Sequence, residues 1–209
     1  MVNDDYNLTR RDLVRAGVGG LAALVLGSSL NAGSRRSRAS RPIPNPKECD
    51  LSDSSSRSNV ESLIESMEKS YGSRMTPYEE QCLSKAYARL SDLVPNEDPA
   101  MIAAVERALE LNPENPDALA NKGLYLGEVK GKHKLAAPLY RQALEIFRRD
   151  RNKEGYKTVL INLGTSEFHL GNHKESYELF LRALKFDPNN ATALRSKRFL
   201  EENYTKHLD

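Results

Sequence analysis

Residues 131–146 read GKHKLAAPLYRQALEI, and forty positions later residues 171–186 read GNHKESYELFLRALKF. Gly131, His133, Lys134, Leu139, Tyr140, Ala143 and Leu144 of the first stretch meet Gly171, His173, Lys174, Leu179, Phe180, Ala183 and Leu184 of the second. Self-similarity at a fixed period of tens of residues marks a supersecondary unit that cannot bury its own apolar face and stacks on a copy of itself. Each copy opens on a glycine suited to a turn and continues with apolar residues at helical spacing.

Working outward, the same logic extends in both directions. Ser58-Asn59-Val60-Glu61 has the form of a capping box, and Val60, Leu63, Ile64, Met67 and Tyr71 follow at helical spacing until Gly72. Thr76-Pro77-Tyr78-Glu79 repeats the signal ahead of Cys82, Leu83, Ala86, Tyr87 and Leu90. Asp98-Pro99 starts a third helix with Ile102, Val105, Ala108 and Leu109, which Asn112-Pro113-Glu114-Asn115-Pro116 interrupts. The next helix runs from Pro116 to about Lys130, its partner from about Lys134 to Arg149. Another pair is divided by Gly171 and stops at Asp187-Pro188, and a last helix spans about Asn190 to Tyr204. No segment alternates apolar and polar residues long enough for a strand, so the chain is all-α.

Helix, glycine turn, helix ending Ala-Leu, then Asp/Asn-Pro-x-Asn resembles the tetratricopeptide repeat (TPR). In the clearest copy Leu160, Leu163-Gly164, Gly171, Ser176, Phe180, Ala183 and Pro188 occupy that family's pattern positions. In the preceding copy Ala136, Tyr140 and Ala143 do so, while Gly123 and Leu124 replace the usual Leu-Gly. Residues 76–115 resemble a degenerate copy through Ala108-Leu109 and Pro113, with Asn96-Glu97-Asp98 in place of the glycine turn. The resemblance implies a TPR-type α-solenoid of antiparallel helix pairs over 76–209, about three repeats plus a capping helix, preceded by a separate helix at 58–75.

It also implies a right-handed superhelix whose concave side, lined by the first helix of each pair, holds a protein or peptide partner. The residues expected to line that groove are Asn121, Tyr125, Glu128 and Val129, then Ile161, Asn162, Thr165, Phe168 and His169, then Arg195 and Phe199. Chaperone-binding members clamp a terminal carboxylate with Lys and Asn. Asn162 matches one such place and Arg195 is a candidate for another, but Asn121 and Tyr125 stand where Lys and Asn are needed, so recognition of a terminal carboxylate is not expected.

Residues 1–32 resemble a twin-arginine export signal. Thr9-Arg10-Arg11-Asp12-Leu13-Val14-Arg15 precedes a weakly apolar stretch from Ala16 to Leu30 broken by four glycines. At about fifteen residues this stretch is short of the roughly 20 that span a bilayer. The resemblance implies a protein exported across the cytoplasmic membrane, released by cleavage or tethered to the outer face of that membrane by an uncut signal. The competing reading makes Arg10 and Arg11 an accidental pair before an Ala/Gly-rich helix, against which the glycines argue. Residues 33–57, rich in Ser, Arg and Pro, read as a flexible spacer.

Charge narrows the function classes. Residues 1–48 carry eight Lys or Arg against four Asp or Glu, leaving 23 against 25 for the rest. The helical part is slightly acidic and lacks the basic excess of a nucleic-acid surface. His169 and His173 are four apart, a metal-binding spacing, but Gly171 interrupts the helix that would align them, so no metal is expected. Cys82 lies on an apolar helix face and reads first as a buried thiol, with a bridge to Cys49 as the alternative. No nucleophile elbow, phosphate-cradling loop or zinc-protease helix appears, and the many acidic residues read as solvated, so neither enzyme activity nor a cofactor is expected. The expected function is a noncatalytic adaptor. The rivals are an oligomer-forming envelope subunit and a cytoplasmic protein whose Arg/Ser arm binds nucleic acid.

Overall fold

The computed structural model describes residues 51, 56–71 and 75–204. Arg10, Arg11, the apolar stretch after them and nearly all of the spacer lie outside the described residues. Eight helices follow: α1 Arg57–Tyr71, α2 Pro77–Asp92, α3 Pro99–Leu111, α4 Pro116–Leu124 running on into a π-helical turn Tyr125–Val129, α5 His133–Arg149, α6 Lys153–His169, α7 His173–Phe186 and α8 Ala191–Asn203. Pairs α2/α3, α4/α5 and α6/α7 are antiparallel hairpins, and α8 lies on α7, giving a TPR-type α-solenoid.

The start signals explain the boundaries. Thr76 Oγ1 accepts from the Glu79 amide and the Glu79 carboxylate accepts from the Thr76 amide, a complete capping box with Pro77 behind it. Asp98, Asn115, Asn152 and Asn190 cap α3, α4, α6 and α8 through their side-chain oxygens. The box expected at Ser58 does not form. Helix α1 starts at Arg57, two residues before the Asn59 start that box implies, and Glu61 pairs with Arg57 at 2.8 Å instead of reaching back to the cap. Helices α5 and α7 have no side-chain cap; each follows a glycine with positive φ, 63° at Gly131 and 82° at Gly171.

Two apolar cores result. The first joins α1 to α3 through Val60, Ile64, Met67, Leu83, Met101 and Val105. The second joins α4 to α8 through Leu119, Tyr140, Phe147, Leu160, Leu163, Phe180 and Leu200. Between them lies a polar seam. The buried Asn115 donates to Ser84 Oγ at 2.8 Å, and Ser84 donates to the Ala108 carbonyl at 2.7 Å. The Asn115 oxygen meanwhile accepts from the amides of Asp117 and Ala118, so the cap and the seam are one network.

Gly123 and Leu124 need no substitution argument once the π turn is placed. A Cβ at Gly164 would stand 3.0 Å from the Phe180 ring, and one at Gly123 would stand 2.7 Å from the Tyr140 ring, so the two glycines are structural equivalents. The earlier copy has one more residue between that glycine and the turn glycine. The π turn absorbs it, with the Lys130 amide donating to the Tyr125 carbonyl at 3.1 Å. Counted this way, Asn121 and Asn162 are also equivalents.

Cys82, 2% exposed, is disulfide-bonded rather than the buried thiol expected first; its partner lies outside the described residues. An apolar helix face accommodates a disulfide sulfur as readily as a thiol, so burial could not choose between the two.

Candidate partner-binding groove

First helices approach one another, α2 to α4 and α4 to α6, while the second helices α3, α5 and α7 make no comparable mutual contact. The stack therefore bends with the first helices on its inner side.

At the α2–α4 end the groove is polar and its amide is engaged. Asn121 Nδ2 donates to Ser91 Oγ at 2.8 Å and to Asp92 Oδ1 at 2.7 Å, tying the two first helices together. Tyr125 packs on the first core, with Lys130 Nζ 5.3 Å from its ring centroid. Glu128 is exposed and Val129 half-buried. Asp117, one turn before Asn121, sits above the usual carboxylate range because neighbouring atoms displace water and Asp92 adds a like charge, although the residue still reaches solvent.

The α6–α8 end is aromatic. Phe168 lies 5.7 Å from Phe199, 5.8 Å from Tyr204 and 5.4 Å from His173, centroid to centroid. His169 turns away from His173 and stacks on His133, rings 4.2 Å apart and 12° from parallel. Among the described residues no group of three or more His, Cys, Asp or Glu could hold a metal ion. Burial, and then His169, hold His133 below the ordinary histidine range. Ile161 packs on the second core and accepts from Thr165 Oγ1 at 3.1 Å through its carbonyl. Asn162 is half-buried, Arg195 exposed, and Phe199 47% exposed.

Thr165, Phe168, Arg195 and Phe199 are brought together around a cleft of about 290 Å³ between α6 and α8, which Phe180, Thr192, Ser196 and Leu200 complete. Tyr204, Thr192 and Ser196 were not among the groove residues expected from the sequence. The spacing Thr192, Ser196, Phe199 is a helical stripe, so the signal was present on α8. Acidic residues are not uniformly solvated either. Glu167 is 0% exposed and accepts from Arg141 at 2.7 Å and from Asn172 Nδ2 at 2.6 Å. Burying a carboxylate is tolerable when such donors saturate it.

Among the described residues no helix is long and apolar enough to cross a membrane. The sequence matches none of the curated proteins. Solved structures of MamA AMB-1 in two crystal forms share 22% identity over 77% of this chain and 80% or 86% of that one, each with a TM-score of 0.51. A point variant of MamA shares 23% identity over 77% of this chain and 86% of that one, with a TM-score of 0.50. At this identity the likeness is one of fold. Residues 116–189 match the tetratricopeptide repeat family model, which covers α4 to the end of α7. Together with the hairpin stack, that match supports a TPR-type α-solenoid fold for the described residues.

Proposed function

We propose that the protein is a noncatalytic adaptor that is exported folded and holds a partner protein or peptide in the groove of its first helices. The observation that carries the groove reading is the half-open aromatic cleft at Phe168 and Phe199, apolar surface that the molecule leaves in water. Export is supported by the Arg10-Arg11 motif and by the disulfide at Cys82, because disulfides persist in oxidising compartments. A photoreactive residue at position 168 in cells is expected to cross-link a defined protein, and Asn162→Ala or Phe199→Ala to reduce the yield. Capture of nothing reproducible overturns the groove reading. Arg10→Lys with Arg11→Lys is expected to retain the chain in the cytoplasm; an unchanged distribution overturns export, and with it any tether to the membrane.

A second reading, an oligomer-forming subunit, draws on exposed Leu194 at 40% and Phe186 at 47% near the carboxyl end of the stack. It requires a concentration-dependent increase in sedimentation, and a monomer at all concentrations removes it.

A further inference from the structure

The α6–α8 cleft differs from the rest of the groove in polarity, and its rim carries a cation unpaired among the described residues. Its floor is Phe180 and Leu200, each 1% exposed, and its walls are Phe168 and Phe199 in edge contact. At about 290 Å³ it falls just short of the roughly 300–1,000 Å³ typical of sites that enclose a small molecule, a size that suits one large side chain. The rim carries Arg195, exposed and without an ion pair among the described residues, and Arg198 follows it by one turn. At the opposite end of the groove the carboxylates are matched by cations: Arg89 pairs with Asp92 at 3.5 Å, Lys85 stands beside Asp117, and Lys130 lies over the Tyr125 ring near Glu128 in the chain.

We infer that this cleft is the anchor pocket of the groove and takes one apolar side chain of a peptide segment whose flanking residues are acidic, with a flanking carboxylate on Arg195. The inference rests on the groove reading above and specifies its partner. Two arguments carry it. An aromatic cleft with a dry floor rewards burial of an apolar side chain at the place where Phe199 is otherwise hydrated. Arg195, unpaired among the described residues, with Arg198 one turn on, attracts carboxylates to the rim of the cleft and repels cations, whereas the carboxylates of the α2–α4 end already have cations beside them.

The experiment uses the full chain and short fluorescein-labelled peptides with one leucine flanked by glutamates, glutamines or lysines, read by fluorescence anisotropy. The glutamate-flanked peptide is expected to bind best, about tenfold tighter than the lysine-flanked one. Arg195→Glu should reverse that order without loss of helicity, and Phe199→Ala should weaken every peptide. Equal binding of all three, with no response to Arg195→Glu, overturns the inference while cross-linking at position 168 still upholds the groove. Binding of no peptide overturns the inference as well, and failure of the cross-link alongside it removes the groove reading too.

Discussion

The hydrogen atom that serves as a side chain at Gly164 sits under the Phe180 ring, and the space holds nothing larger without movement. An added methyl would lie 3.0 Å from the ring there and 2.7 Å from Tyr140 at Gly123. Gly164→Ala and Gly123→Ala are therefore expected to destabilise by about 1–3 kcal/mol, with Gly123 the worse of the two. Urea midpoints test the order. The His133–His169 stack sets a pH dependence. Because the folded state holds His133 below its ordinary value, the unfolded chain binds more protons as pH falls. The contribution to stability is complete above the unfolded value of 6.5 and is lost as pH drops from there towards the lower folded value. Urea midpoints should decline over that window, and His133→Gln should flatten the decline. Both glycines were visible in the sequence, as were Phe168 and Phe199 of the aromatic end, while Tyr204 was not among its expected residues. The stacking of His133 on His169 was not, because it joins two helices through geometry that spacing within one helix does not express.

Elements were legible where a cap or a turn glycine marks them. Thr76, Asp98, Asn115 and Gly171 each announce a boundary that the backbone obeys. The π turn at Tyr125–Val129 was not legible. An extra residue in a repeat looks in sequence like a poor match at Gly123-Leu124, and only the backbone hydrogen bond from Lys130 to Tyr125 shows where it is stored. Deleting Val129 is expected to convert the π turn to α-helix and leave the fold intact, at a cost of about 1–3 kcal/mol. Deleting Ser166 from α6, which has no such reserve, should shift the buried Glu167 off Arg141 and abolish cooperative unfolding. Circular dichroism melts of the two deletions decide this.

At the scale of the whole molecule the polar seam at Ser84, Asn115 and Ala108 divides two apolar cores. Stability in stacked repeats is approximately the sum of each unit and its nearest interfaces, so a weak interface uncouples its neighbours. Asn115→Ala removes the α4 cap and leaves buried Ser84 short of a partner, an expected loss of about 1–3 kcal/mol. The calorimetric transition should then split, with the α1–α3 core melting apart from the α4–α8 core. A single undiminished transition would contradict this. The existence of a stack followed from the 40-residue echo between Gly131 and Gly171. Its division did not, since Asn115 reads in sequence only as a helix start.

Helix α8 turns Ala193 and Leu200 inward and leaves Leu194 and Phe199 half in water. A rung that keeps adhesive surface offers, as a ladder does, a place for another to be fixed. Grafting a copied hairpin beyond Asn203 should extend the row and leave every earlier rung undisturbed, because each rung touches only its neighbours and nothing in the physics of the stack caps its length.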